Sequence, residues 1–191
     1  MSRVLFCSDP HFGHGNIIKY CDRPWETSVK MDEALITNWN MEVDHGDTVW
    51  CLGDMFFCDA GRAKEIMGHL NGKKNLILGN HDKVIRNQVP LQNLFEKIYP
   101  ELHAETIVGV YVTMCHYPML TWNRARRGSF NLHGHVHSKV PTDGKYRRYD
   151  VGVDANNYAP VSWEEIKKTL EKIEMGDPSE VRSARNESKN Y

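Results

Sequence analysis

The residues best suited to hold and use a divalent metal stand in five separate places. Asp9-Pro10-His11 follows an apolar run at 4–7, Gly53-Asp54 follows a second at 48–52, and Gly79-Asn80-His81-Asp82 follows a third at 75–78. Cys115-His116 closes a further run at 110–115, and Gly134-His135-Val136-His137 follows one at 129–133. In α/β proteins, ligand crevices form beyond the carboxyl ends of strands, so five distant segments of this kind can converge. Together they offer Asp9, Asp54, Asn80, His11, His116, His135 and His137. This mixed oxygen and imidazole set suits Mn, Fe, Ni or Zn. One ion would not need them all. A carboxylate can bridge two ions, and paired ions roughly 3.5–4 Å apart generate a hydroxide nucleophile and clamp a phosphoryl group during in-line displacement. Asp54 is the bridging candidate. Gly53, Gly79 and Gly134 would allow close backbone approach where a bulkier residue would crowd the ions.

The neighbours of these motifs carry two readings each. Arg124, Arg126 and Arg127 closely follow His116, and Arg23 follows the first motif loop. A guanidinium matches phosphate bidentately, so all four are candidate substrate contacts, against the alternative of a solvated face. Asn80 is a candidate for substrate as well as metal. Trp122, Tyr117 and Phe12 could stack on a base or simply pack. His14 divides between loop packing and substrate contact, and Asp82 between orienting His81 or a ligand and stabilising its loop. His133 reads as structural or as support for a ligand. His45, His69 and His103 are explained by helix-end or loop positions.

The ordered set Asp9-x-His11, Gly53-Asp54, Gly79-Asn80-His81-Asp82, His116 and Gly134-His135-x-His137 resembles the signature blocks of the calcineurin-like metallophosphoesterase superfamily. Small stand-alone bacterial and phage members look most similar. Their D-x-H-F-G-H-x-N-I opening resembles residues 9–17, and their N-N-Y-x-P-V ending resembles 156–161. The resemblance implies that Asp9, His11, Asp54 and His137 hold one metal and Asp54, Asn80, His116 and His135 the other. It makes His81 the general acid near the leaving group, with Asp54 beside it in the catalytic set. It also implies an α/β fold, a four-layer α-β-β-α sandwich of two mixed sheets with flanking helices. Met55-Phe56-Phe57 replaces the acidic and basic residues that follow Gly-Asp in the Ser/Thr protein phosphatases, which argues against protein phosphatase activity.

The elements that must position these residues are partly visible. Short β-branched runs alternate with helical patterns, as α/β layers require. Met31, Leu35, Trp39 and Val43 recur every four residues and predict a helix over 30–44, with Gly46 as a left-handed cap. Ala63, Ile66, Met67 and Leu70 predict a second, stopped by Asn71-Gly72. Ser162 and Glu165 form a capping box ahead of Trp163, Ile166, Leu170 and Ile173, with Gly176 as the stop. Residues 68–74 look superficially like a phosphate-binding loop but are one residue short and lack the following Ser or Thr.

Composition limits the partners. With 24 basic and 25 acidic residues the formal charge is −1, so the whole chain exerts little long-range pull on a polyanion. No apolar run reaches the ~18–20 residues of a bilayer span, so no membrane partner is expected. Met1-Ser2-Arg3 leads straight into a strand-like run without an export signal, and the five cysteines form no C-x-x-C pair, which together predict a cytoplasmic location. One domain over 1–175 and a polar tail over 176–191 are expected. The reading as a whole is a phosphoesterase with two divalent ions, Mn foremost and Fe, Ni or Zn as alternatives. It would act on a small, nucleotide-like phosphodiester. Phosphomonoesterase and nuclease are the alternatives within that chemistry, nucleic acid being possible but not favoured, and a non-catalytic metal-binding scaffold is the alternative outside it. No pattern in the chain encodes an oligomeric state.

Overall fold

The computed structural model describes residues 2–140 and 146–174. The tail expected at 176–191, and Gly176 as a helix stop, lie outside the described residues. Two mixed sheets stack face to face with helices flanking them, the α/β arrangement expected. The first runs β4-β3-β2-β1-β9, from β1 (Val4–Cys7), β2 (Thr48–Cys51), β3 (Lys73–Ile77), β4 (Lys97–Tyr99) and β9 (Val161–Ser162). The second runs β5-β6-β7-β8, from β5 (Leu102–Ile107), β6 (Val110–Cys115), β7 (Phe130–His133) and β8 (Arg148–Asp150). Strands β1 to β4 are parallel and each steps to the same side of its predecessor. Because such crossovers are right-handed, the connecting helices all fall on one face.

Those helices are α1 (Gly15–Tyr20), α2 (Ser28–Glu42), α3 (Ala60–His69), α4 (Lys83–Arg86) and α5 (Val89–Gln92). Thr27 caps α2 by accepting from the Lys30 amide, and Asp59 caps α3 by accepting from that of Arg62. Met31, Leu35 and Trp39 of α2, with Ala63, Ile66 and Met67 of α3, pack on Leu5, Cys7, Val49, Cys51 and Leu76 of the first sheet. The alternate residues Phe6, Trp50, Leu52 and Ile77 face the other way, onto Val112, Met114, Phe130 and Leu132 of the second sheet. A sheet buried on both faces explains why its strands read as nearly continuous apolar runs.

One expected boundary is corrected. α2 ends at Glu42, Val43 turns extended (φ −109°, ψ 120°), and Gly46 is not among the residues with positive φ. Val43 is buried, so the chain leaves the helix to follow it into the core. The turn is then fixed by Asp47, which accepts from the amides of Arg3 and Asp44 at 2.7 and 3.0 Å, and no left-handed cap is needed.

α6 (Trp163–Leu170) opens as predicted, with the Ser162 hydroxyl accepting from the Glu165 amide. Its indole lies between Phe6 and Phe130, with ring centroids 6.0 and 5.7 Å away, so α6 seals the sandwich where β1 and β9 meet β7. The Trp163 indole N–H is buried without a partner. Trp163→Ala should therefore cost about 3–5 kcal/mol, whereas Trp163→Phe, which removes an unmet donor along with some volume, should cost much less. Urea unfolding of the two variants checks this; equal losses would mean that the indole ring's extra bulk, rather than apolar filling in general, holds the joint.

Candidate functional site

Both sheets point the carboxyl ends of their parallel strands at one rim. There the sheets are joined: Ser8 bridges to Gly152, the Val153 amide donates to the Ser8 carbonyl at 3.0 Å, and His116 Nδ1 donates to the Leu52 carbonyl at 2.7 Å. The seven expected ligands converge at this joint. Asp9, His11 and His137 each offer an atom to a group whose members lie within 4.8 Å of one another, and Asp54, His116 and His135 form a second such group. Asp54 lies between them, its Oδ2 3.7 Å from His11 Nε2 and 3.3 Å from His116 Nε2. Asn80 joins the second group through its Oδ1, 3.0 Å from His116 Nε2 and also reached by the Tyr117 hydroxyl at 3.2 Å.

The donor set fits cations. Asp9 Oδ1 and both ring nitrogens of His11 are buried without a hydrogen-bond partner, and Asp9 Oδ1 stands 3.7 Å from His11 Nε2. Buried polar atoms are seldom left unmet, and an ion is one thing that meets them. His116 spends Nδ1 on a carbonyl and His137 spends its Nδ1 on Asp154 at 2.7 Å, so each turns Nε2 to the cluster. Ligand histidines are commonly oriented in this way.

The backbone is strained where the ligands sit. Asp9, His11, Asp54, His135 and His137 all have positive φ, between 47° and 70°. Such conformations are uncommon outside glycine and persist only where the surroundings enforce them. Here the enforcement is visible. Asp82 is fully buried and accepts from the amides of Asp54, Met55 and Gly79 at 2.8–2.9 Å. Of the two roles considered for Asp82, this geometry is loop stabilisation. The glycines are required by space: a Cβ on Gly134 would strike Asp9 Oδ2 and the Ser8 side chain, one on Gly79 would strike Asp54 Oδ1, and one on Gly53 would come within 2.7 Å of His116 Nδ1.

Proximity perturbs the titrating groups. Burial raises the Asp9 carboxyl, but the His11 contact and the nearby His116, His11 and His137 outweigh it and hold the group well below the carboxylate range. Burial works against the His116 imidazolium, yet Asp54 and Asp9 push its pKa up to about 9. His14 has only the opposing influences, burial and neighbouring histidines, and falls to about 4.

A cavity of about 500 Å³ opens over the cluster, lined by His11, Asp54, His135 and His137 and walled by His14, Tyr20, Phe57, His81 and Lys139. His81 is exposed there, its amide bonded to Asp54 Oδ1 at 2.8 Å and its ring outside both ligand groups. His14 stacks on Phe57 at 3.9 Å, so it both packs its loop and borders the cavity.

Several expected substrate contacts are elsewhere. Arg23 is a buried strut: its side chain is 0% exposed, and its donors go to Asp154 and to the carbonyls of Asp9 and Pro10 at 2.8 Å. Arg124 and Arg127 border a different cavity beside Tyr111, at the opposite end of β6 from His116. At about 3.3 Å per strand residue that is ~17 Å away. Arg126 belongs to the same short 3-10 turn, Ala125–Arg127. Trp122 is buried with its indole N–H on the Ser129 hydroxyl, and Phe12 is buried against Phe56, so neither can stack on a substrate. Tyr117, 39% exposed beside Asn80 and His135, can. The sequence reading missed Asp154, although Gly152-Val153-Asp154 after β8 repeats the pattern of an acidic residue just past a strand end.

Residues 2–179 match the Calcineurin-like phosphoesterase family. The chain belongs to that family. A calcineurin-like phosphoesterase is a metal-dependent phosphoric ester hydrolase, and the two ligand groups are the equipment for it. An uncharacterised protein of Methanocaldococcus jannaschii is 34% identical over 179 residues, covering 90% of this chain and 93% of its own length. The gene 66 protein of Mycobacterium phage D29 is 29% identical over 203 residues, covering 92% and 100%. Among solved structures, a protein of unknown function from Aquifex aeolicus superposes with TM-score 0.71 at 27% identity, covering 88% of this chain and 100% of that one.

Among the described residues Asp154 bonds His137 directly and the Asp9 loop through Arg23, so Asp154→Asn should weaken metal affinity by about 10- to 100-fold without removing one of the seven expected ligands. Metal titration of the apo variant measures this. Unchanged affinity would reduce Asp154 to a counter-ion for Arg23.

Proposed function

We propose that this phosphoesterase uses two divalent ions, Mn foremost and Fe, Ni or Zn as alternatives, to hydrolyse a small phosphodiester. The observation that carries the reading is Asp54, which belongs to the ligand group of His116 and His135 and whose Oδ2 also stands 3.7 Å from His11 Nε2 of the other group. Asp9, His11, Asp54 and His137 would hold one ion, and Asp54, Asn80, His116 and His135 the other. Ions held there would supply a deprotonated water as nucleophile and polarise the phosphoryl oxygens. The chain's own residues do the rest. Asp82 keeps the Asp54 and Gly79 loops in register, Arg23 and Asp154 hold His137 and the Asp9 loop, and His81 delivers a proton to the leaving oxygen. Five free cysteines fit a single cytoplasmic domain; no helix among the described residues is long and apolar enough to cross a membrane.

A cavity of about 500 Å³ accommodates a ligand of nucleotide size, and Phe57, Tyr20 and Tyr117 offer aromatic surface at or beside its edge. Among the described residues Lys139 is the one lysine or arginine bordering this cavity, its ammonium already donates to the Tyr20 carbonyl at 2.9 Å, and no guanidinium is there to bind the extra negative charge of a monoester. The diester is therefore the better fit. Hydrolysis of bis-nitrophenyl phosphate should exceed that of the mono-ester with Mn, Ni and Zn alike. A reversed order would identify a phosphomonoesterase, and much faster degradation of long nucleic acid at physiological salt would identify a nuclease.

His81→Ala should retain full metal content, because its ring stands outside both ligand groups. A general acid contributes roughly 10²–10⁴-fold, most for poor leaving groups, so alkyl or ribose esters should lose far more than nitrophenyl esters. An equal loss on both would exclude the proton-donor role.

A further inference from the structure

We propose a second oxyanion site, built for a phosphoryl-sized group, at the end of the second sheet remote from the metal ligands. It is independent of the reaction proposed above. A cavity of about 240 Å³ there is bordered by Arg124, Arg127 and Arg147, with Glu171 as the one acidic residue on its wall among the described residues. Guanidinium groups stay charged at any working pH, so this wall is strongly positive on a chain whose net charge is −1.

These arginines are held in place without being neutralised. Arg124 lies over the Tyr111 ring at 4.7 Å and Arg147 over the Phe130 ring at 5.9 Å. Stacking on a ring fixes the plane of a guanidinium and leaves its in-plane N–H donors available. Among the described residues none of the three has a carboxylate within 4.0 Å, whereas Arg3, Arg23, Arg62 and Arg86 all do. Among the described residues Arg147 Nε is buried with no partner, and the Arg147 Nη atoms make only 3.5 Å contacts to the Gly128 and Ile173 carbonyls.

Local backbone makes the space. Arg124 caps the 3-10 turn with φ 62° and Gly128 closes it with φ 82°, which folds the turn back on β7. A Cβ on Gly128 would come within 3.1 Å of Arg147 Nη1, so glycine lets that guanidinium lie against the turn. Converging forks with unspent donors suit a tetrahedral oxyanion. Free phosphate and the terminal phosphate of an oligonucleotide share that chemistry.

The test is calorimetric titration of the metal-loaded, full-length protein with inorganic phosphate, compared with Arg124→Gln/Arg127→Gln. Both residues are exposed and far from the ligands, so the double variant should hydrolyse nitrophenyl diester at the wild-type rate. The wild type should show a phosphate-binding event that weakens at least tenfold in the double variant, and in Gly128→Ala, where Arg147 is displaced. Competition by a 5′-phosphorylated but not an unphosphorylated oligonucleotide would assign the site to terminal phosphates; no competition by either would assign it to free phosphate. Superimposable isotherms for wild type and the double variant would overturn the proposal.

Discussion

Three backbone amides donate to one buried carboxylate, and the metal rim depends on that contact. Asp82 gathers the N–H groups of Asp54, Met55 and Gly79, which belong to loops after two different strands. Burial, with the neighbouring Asp54 charge, raises the pKa of Asp82 above the usual carboxylate value even though the three amide contacts pull it down. Unpaired, such a carboxylate would be a serious liability; paired, it fixes two loops to within hydrogen-bond tolerance. The position of Asp54 follows from it. Asp54 then spends Oδ1 on the His81 amide and keeps Oδ2 for the space between the two ligand groups.

The second half of the rim is fixed by a different device with the same logic. Arg23 and Asp154 form an ion pair whose arginine side is wholly buried, and Arg23 also bonds the carbonyls of Asp9 and Pro10. Asp154 in turn holds His137. A buried pair of this kind is weak support for stability in general, because desolvation offsets the attraction. Its value here is geometric. It links a loop after β1 to loops after β7 and β8, and so ties one sheet to the other at the point where their ligands must meet. Five ligands in left-handed conformations, at about 1–3 kcal/mol of strain each, could not hold their places on free loops.

How much of this was legible in the sequence follows from the range of each interaction. The convergence of the candidate ligands was legible because each stands just past a strand end, most with a glycine close by, a pattern confined to a few neighbouring residues. α2, α3 and α6 were legible because a buried stripe repeats several times in 8–15 residues. Strands β4, β8 and β9, of two or three residues, and helices α4 and α5, of four, are too short to show a period. Arg23 and Asp154 are 131 residues apart, so nothing near either reveals that an arginine placed beside a metal loop is a strut. Sequence proximity to His116 misled in the same way for Arg124 and Arg127, because the segment after His116 doubles back along the outer face of β6 and β7 before entering β7 at its far end.

That return path separates two electrostatic tasks. At the rim, carboxylates and imidazoles converge with atoms left unpaired, which attracts cations; at the opposite end, guanidiniums converge with donors left unpaired, which attracts anions. Had the arginines folded onto the rim, their charge would have opposed metal binding within a few ångströms, where screening is weak. With a strand length between them, the Debye length of about 8 Å at physiological salt leaves each largely independent of the other. The near-zero net charge of the chain thus conceals two local fields of opposite sign, and its long-range neutrality says little about the strength of either.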